Sequence, residues 1–181
     1  MTVALRLFAE RGYDGVGVQE LAAEAGVTKP SLYHHFSHKL GLLTAALEAP
    51  NALLIEALGS AAEYRGKLGQ CLDDVVALYF EAAQRSPDSY RLSQALLFLP
   101  PGHEGHVLAA EHLSAQLRRL EGLFRAATQD HGNMRGRHSR YALTFLGVVN
   151  SHAGLVLDGS LKPAASVRQA LVHQFSHGIY S

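Results

Sequence analysis

The chain has 181 residues, 48% of them hydrophobic, so it is long enough to bury a sizeable core. Its 16 Lys and Arg residues balance its 16 Asp and Glu residues, so net charge neither supports nor excludes a nucleic-acid partner. A DNA-binding surface would have to concentrate its positive groups locally. The single cysteine, Cys71, excludes an intrachain disulfide and a metal-binding pair of cysteines.

The sequence gives no sign of a secretory or membrane-spanning segment. Its first residues form a charged amphipathic segment instead of an apolar signal core. The longest uncharged run, residues 141–157, contains Asn, Ser and His and falls short of the ~20 apolar residues of a membrane span. We expect a soluble cytoplasmic protein with no membrane partner.

Helical spacing recurs along the chain and clear period-2 strand patterns are missing, which predicts an all-α fold of about nine helices. The first segment, residues 4–9, stops at Gly12, a glycine typical of a helix C-terminus. The second, residues 18–25, has apolar residues at i, i+3, i+4 and i+7. It leads into Gly26, which can adopt the left-handed conformation of a tight turn.

A third short helix is predicted directly after that turn. Thr28 is a good N-cap and Pro30 suits the first helical turn. Ser37 is expected to cap a fourth helix, in which Gly41 is either a tolerated exposed glycine or a residue that loosens the helix. The inward side chains of the third and fourth helices are expected to be Leu32, Phe36, Leu40, Leu43 and Leu47.

Pro50 is expected to end or kink the fourth helix and to mark the boundary between two domains. Residues 1–49 would form an N-terminal head and residues 50–181 a helical body. Further helices are predicted at 51–64, 68–85, 88–99, 104–129 and 140–158, with a last one from Pro163. The apolar stripe of the last helix is Val167, Ala170, Leu171, Phe175 and Ile179.

The head contains a carboxylate-free interval between Glu24 and Glu48. Such an interval is the local electropositive patch that phosphate binding requires. The second helix of a helix-turn-helix motif enters the major groove with its N-terminal side chains. A helical hairpin with a merely solvated polar face is the alternative, and spacing alone leaves both open. The basic or titratable side chains of the interval are Lys29, His34, His35, His38 and Lys39.

Two stretches resemble the DNA-binding domain of TetR-family transcriptional regulators: Leu7-Phe8-Ala-Glu-Arg-Gly12-Tyr13-Asp14-Gly15, and Leu21-Ala22-Ala-Glu-Ala25-Gly26-Val27-Thr28-Lys29-Pro30-Ser31-Leu32-Tyr33-His34-His35-Phe36-Ser37-His38-Lys39. The resemblance covers about a quarter of the chain. It implies an all-helical homodimer whose three N-terminal helices bind DNA and whose body binds a small effector. By motif position, the implied DNA contacts are Gln19, Thr28, Lys29, Ser31, Tyr33, His35 and Lys39.

The chain departs from the family pattern in its first two helices. The first helix is about two turns shorter than usual, which favours a natural chain that begins upstream of Met1. Gly17 stands where the second helix usually has a Ser or Thr cap, at a cost of a few tenths of a kcal/mol.

The last two helices are expected to form a four-helix bundle with those of a second copy. The penultimate helix is apolar on most sides, and Gly147, Ala153 and Gly154 would let another backbone approach closely. A two-fold dimer would also match a palindromic operator. One packed core without an exposed interface is the alternative.

An effector pocket is expected among body helices that carry polar groups between apolar ones. Ordinary core packing is the alternative for each candidate, His152 included. If the pocket exists, its lining suggests a mainly apolar or amphipathic ligand. The candidates are Tyr79, Gln94, Phe98, His112, Phe124, Tyr141, Phe145 and His152.

Other chemistries have weaker support. His103/His106 and His173/His177 have chelating spacings but no third ligand is identifiable, so no metal and no cofactor are expected. Cys71 is expected to be a small buried hydrophobe. The sequence thus favours a ligand-released repressor, with an activator or a protein-responsive regulator as alternatives. A helical enzyme that uses Cys71 or a His/Asp pair is a distant third, because no nucleophile motif or phosphate loop accompanies them.

Overall fold

The computed structural model describes residues 1–178. Within that range the chain forms no strand, which confirms the all-α prediction. Ile179, the last residue of the predicted final stripe, lies outside the described residues. The helices are α1 (Thr2–Arg11), α2 (Val18–Glu24), α3 (Lys29–Phe36), α4 (Lys39–Ala61), α5 (Leu68–Arg85), α6 (Pro87–Leu96), α7 (Glu104–Ala127), α8 (His138–Leu157) and α9 (Ala165–His177), with a 3₁₀ turn at Gly132–Met134.

The chain folds into two compact units. The head unit consists of Met1–Ala52 together with Ser86–Leu113, and the body unit of Leu53–Arg85 together with the chain from Ser114 onward. The boundaries therefore fall within α4 and α7, and α6 belongs to the head unit although it lies far along the sequence.

The core of the head unit is made by the inward faces of α1 to α4, with α6 packed against α1. Burial of each large apolar side chain contributes about 1.5–3 kcal/mol relative to leaving it exposed. This core holds the short helices α2 and α3, which would be marginal by themselves. Its principal residues are Leu7, Phe8, Leu21, Leu32, Leu43, Leu47, Leu92 and Leu96.

The turns around α2 and α3 contain the glycines and the helix cap that the sequence predicted. Gly12 and Gly26 have φ of +76° and +67°, a region that suits glycine. Gly17 precedes α2 without a side-chain cap. The hydroxyl of Thr28 accepts the N–H of Ser31 at 3.3 Å and caps α3 as predicted.

The cap of α4 differs from the prediction. Ser37 does not cap the helix, because it occupies a positive-φ conformation (φ 58°, ψ −46°) in which the N–H of His38 donates to the carbonyl of Phe36 at 2.6 Å. This γ-turn is a strained way to join two helices. The imidazole Nδ1 of His38 instead accepts the N–H of Gly41 at 2.9 Å and satisfies an N-terminal donor of α4.

Gly41 is not an exposed glycine that another residue could replace. It is partly buried, and the structure leaves no room for a side chain there. A Cβ atom added there would lie 2.2 Å from the carbonyl oxygen of Phe36, which is backbone and has little freedom to move. The close approach of the α3–α4 turn to α4 therefore requires glycine.

We expect Gly41→Ala to lower the free energy of unfolding by about 1–3 kcal/mol, because the overlap must be relieved by moving the turn. Urea denaturation followed by circular dichroism measures the change. Gly122→Ala in α7 is the matched control, since a Cβ atom there meets nothing within 4 Å. The control should stabilise by about 0.5–1 kcal/mol. A Gly41→Ala protein as stable as the wild type would contradict the close approach.

Pro50 does not end a helix. The prediction of separate helices on either side is wrong, because α4 continues through Pro50 to Ala61. Buried residues occur on both sides of the proline, with Leu47 and Leu58 both fully buried. Packing of both halves outweighs the single hydrogen bond that proline removes.

By length and composition, α4 is the one helix of the described chain that could also cross a membrane. Core helices of soluble proteins often share this length and composition. Leu42, Leu43 and Leu47 of α4 are indeed buried in the core of the head unit.

In the body unit, α5 packs against both α8 and α9. Its apolar residues recur at helical spacing and form a buried face that includes Leu72, Val76 and Tyr79. Cys71 is buried as expected, with its thiol 3.3 Å from the carbonyl of Glu63. The guanidinium of Arg168 on α9 pairs with Asp73 on α5 at 3.3 Å.

Candidate nucleic-acid interface and effector groove

The interface candidate is α3, which the head unit presents as a short exposed helix. Leu32 is its buried anchor and Phe36 is partly buried against the same core. With Leu32 and Phe36 directed inward, the other positions of α3 face solvent. The cap at Thr28 and the turn at Gly26 set where the helix begins.

The residues implied as DNA contacts are brought to the surface in one part of the head unit. Six of them are exposed, with Tyr33 at 37%. The ammonium of Lys29 lies 5.7 Å from the centre of the Tyr33 ring, so a cation and a phenol hydroxyl occur side by side. Both groups donate hydrogen bonds to phosphate or to base edges. The exposed set is Gln19, Thr28, Lys29, Ser31, Tyr33 and His35.

Lys39, the seventh implied contact, is only partly exposed. Its ammonium lies 4.4 Å from the centre of the Tyr13 ring and 6.0 Å from that of Phe8. It is therefore held at the start of α4 by a cation–π interaction while part of it remains accessible.

The eight candidate effector residues are divided between the two compact units. Gln94 and His112 belong to the head unit, where the Nδ1 atom of His112 lies 2.9 Å from the Asn51 amide nitrogen. Burial lowers the pKa of His112, which favours the neutral imidazole. Phe98, which was predicted to lie in the pocket of the body helices, belongs to the head unit and is 89% exposed, so its ring is not part of a buried pocket wall. It follows α6 in the chain, where no element of its unit covers the ring.

The body-unit candidates are mostly packed core. Tyr79 is buried and its hydroxyl donates to the side-chain carbonyl of Gln116 at 2.7 Å. Phe124, Tyr141 and Phe145 form an aromatic cluster with Phe175 of α9, with ring centroids 4.9–6.4 Å apart. Such tilted and edge-on pairs add about 0.5–1.5 kcal/mol each beyond area burial.

Tyr141 and His152 do face open space. They line a groove of about 630 Å³ between α8 and α9, a volume within the range of small-molecule sites. The Nδ1 atom of His152 lies 2.8 Å from the carbonyl of Val148, so this histidine is satisfied within α8. Residues of the groove that the sequence interpretation missed are Arg137, Arg140, Thr144, Val148, Ser151, Leu171, Gln174, Phe175 and Gly178.

The groove has a basic end and apolar walls. None of the described residues that line it is acidic, while Arg137 and Arg140 lie at the start of α8. Phe175 and Leu171 supply apolar surface from α9. A pair of arginines three apart at the start of an apolar helix was a sequence signal for this site. No sequence signal indicated that α9 would form the facing wall.

A capped tight turn followed by an exposed helix, set in a small helical head, defines a helix-turn-helix protein. Residues 1–46 match the family model described as bacterial regulatory proteins, tetR family. The head of the chain is thus a DNA-binding domain of the tetR family, and the chain along its whole described length has the fold of solved TetR-family regulators.

Three relatives illustrate the similarity. The transcriptional activator FasR of Mycolicibacterium smegmatis is 35% identical over 92 residues, which cover 51% of this chain and 42% of FasR, so the match spans less than half of that protein. The regulator FadR from Bacillus subtilis, in complex with stearoyl-CoA, has a TM-score of 0.81 at 19% identity, covering 99% of this chain and 97% of FadR. AibR, in complex with isovaleryl coenzyme A and operator DNA, has a TM-score of 0.66 at 25% identity, covering 87% and 91%.

Proposed function

We propose that the protein is a cytoplasmic one-component repressor that binds a palindromic operator as a homodimer and leaves it when an amphipathic effector binds. Residues 1–49 would bind double-stranded DNA, and residues 50–181 would bind the effector and form the dimer. The observation that carries the proposal is the exposed face of α3, where Lys29, Ser31 and Tyr33 offer donors at the N-terminal end of a recognition helix.

A gel-shift assay with the DNA that flanks the gene tests this proposal. The full-length protein should retard a fragment that contains an inverted repeat, with affinity that falls steeply as salt rises. Absence of binding to any such fragment at low salt would count against it. An activator role is the alternative, favoured by the similarity over 92 residues to the activator FasR. A reporter assay distinguishes them, because loss of a repressor raises transcription and loss of an activator lowers it.

The dimer proposal is supported by one face of α8. Leu143 and Leu155 are 60% and 44% exposed, and Cβ atoms added at Gly147 or Gly154 would meet nothing within 4 Å. This face is apolar and flat enough for another helix to approach closely. Ala153 does not contribute to it, because its side chain is fully buried within its own subunit.

The effector proposal is supported by the chemistry of the groove between α8 and α9. Arginines pair well with phosphate or carboxylate, and the aromatic and aliphatic walls would take an apolar chain. FadR and AibR were both crystallised with acyl-CoA compounds. We therefore propose an acyl compound with a negatively charged end as the effector.

Arg140→Ala should raise the effector concentration that releases DNA about tenfold, because a charge-assisted hydrogen bond contributes about 1.5–3 kcal/mol and is partly solvated here. The assay measures displacement from operator DNA by palmitoyl-CoA, palmitate and CoA alone. Arg118→Ala, at an exposed position of α7 away from the groove, is the control. Release by palmitate alone would assign the effector to free fatty acids. If the Arg140→Ala and wild-type proteins were released from DNA at the same effector concentration, the groove would not be the effector site.

A further inference from the structure

The ammonium of Lys39 is held by aromatic rings of its own head unit. Its nitrogen lies 4.4 Å from the centre of the Tyr13 ring and 6.0 Å from that of Phe8, whose two rings are 5.4 Å apart and tilted. A lysine has four flexible bonds and usually loses much of its freedom when it binds a phosphate. Here part of that ordering exists before DNA arrives.

Tyr13 is itself fixed from several sides. It lies in the loop between α1 and α2, is 4% exposed, and its hydroxyl donates to the carboxylate of Glu104 at the start of α7. Burial, and then this hydrogen bond, raise the pKa of Tyr13, so the hydroxyl stays protonated and remains a donor.

The start of α7 adds a second attachment to the same loop. The imidazole of His103 stands edge-on to the Tyr13 ring with centroids 5.7 Å apart, and its Nε2 lies 3.1 Å from both carboxylate oxygens of Asp14. Its Nδ1 accepts the N–H of Gly105 at 3.0 Å. The ring beneath Lys39 is thus set by contacts to α7 as well as to α1.

We propose that Tyr13 is a positioning residue that holds the Lys39 ammonium ready for a DNA phosphate. The inference rests on the proposed function, because it requires that Lys39 contact the DNA backbone. Tyr13 does not touch DNA in this scheme, and its effect passes entirely through Lys39. The hydrogen bond between Tyr13 and Glu104 connects the start of α7 directly to this phosphate contact.

The pair Lys29 and Tyr33 on α3 provides an internal contrast. Its nitrogen-to-ring distance is longer, 5.7 Å, and both side chains are exposed and proposed to reach DNA themselves. A substitution of Tyr33 therefore removes a DNA contact directly. A substitution of Tyr13 should alter binding only when Lys39 is present.

The test is the salt dependence of operator binding for the wild type, Lys39→Ala, Tyr13→Leu and the double variant. Each phosphate contact contributes about 0.9 to the slope of log K against log salt, so Lys39→Ala should lower the slope of a dimer by about two. Tyr13→Leu should lower the slope by a large part of that amount. The double variant should bind like Lys39→Ala, because the two residues act through one contact.

A purely structural role of Tyr13 would give a different pattern. Tyr13→Leu would then weaken binding equally at all salt concentrations, keep the wild-type slope and add to the loss from Lys39→Ala; this would overturn the inference. A wild-type slope in Lys39→Ala would also overturn it, since no phosphate contact would exist. Failure of the wild type to bind DNA would instead refute the proposed function.

Tyr13 is buried, so a shape-preserving variant keeps the test valid if Tyr13→Leu does not fold. Tyr13→Phe retains the ring and should keep the wild-type slope. Trifluorophenylalanine at position 13 has nearly the same volume but a weakened ring quadrupole, and it should reduce affinity about two- to fivefold per head relative to Tyr13→Phe. Equal affinity of these two proteins would show that the ring face does not hold Lys39.

Discussion

Leu143→Arg should yield a monomer that binds the operator at least ~100-fold more weakly than the wild type. The substitution places a charge on the exposed apolar face of α8, where a partner helix is proposed to pack. Two linked heads bind a palindrome with an avidity that exceeds single-head binding by about 10²–10⁴, and separation of the subunits removes this gain. Sedimentation velocity and gel-shift titration measure the two effects.

Gln84→Arg, at an exposed position of α5, introduces the same charge without touching the α8 face and should leave both properties unchanged. Gly147→Leu tests the same face by volume instead of charge, because the space beyond Gly147 is open within one subunit. Leu143→Arg protein that remains dimeric and binds normally would show that dimers form through another surface.

Tyr33→Ala should weaken operator binding on the order of 100-fold across all sequences, with little change in stability. Loss of one hydrogen bond to a charged phosphate costs about 1.5 kcal/mol or more per head, and a dimer loses two. Because Tyr33 lies on the exposed face of α3, its removal leaves the core intact. Fluorescence anisotropy with labelled operator DNA measures the loss, and thermal unfolding checks the fold.

Tyr33→Phe separates the two contributions of this side chain. It keeps the ring beside Lys29 and removes only the hydroxyl, so it should recover little affinity if the hydroxyl is the phosphate donor. Nearly complete recovery would assign the effect to the ring. Unchanged binding of Tyr33→Ala would contradict the placement of the recognition helix.

The head unit contains contacts between segments that are far apart in the sequence, and these contacts bear on effector control. Helix α6 lies far from α1 in sequence but packs against it, and α7 begins beside the loop that contains Tyr13. A ligand acts only through a difference in its affinity for two states. The contacts of α6 and α7 with α1 and its loop are therefore places where two such states could differ, in addition to the length of α4.

Short-range chemistry accounts for what the sequence predicted well. Thr28, Gly26 and Gly12 shape the backbone within a few residues of themselves, so their types alone indicated the caps and turns of the head. The period of apolar residues in α5 likewise indicated its buried face. The motif of α2 and α3 added the family, and with it the residues implied to contact DNA.

Tertiary packing decided the rest, because it depends on which surfaces meet. Pro50 is tolerated inside α4 since side chains on both flanking halves, such as Leu47 and Leu58, are packed in cores, and Phe98 is exposed although its type suggested a pocket wall. Gly41 is required because the folded turn brings the carbonyl of Phe36 close to it. The conformation of the same turn also makes His38, and not Ser37, the residue that accepts an N-terminal N–H of α4. The position of α3 was thus determined locally, whereas the contact of Tyr13 with Lys39 and the groove between α8 and α9 exist only where distant segments come together.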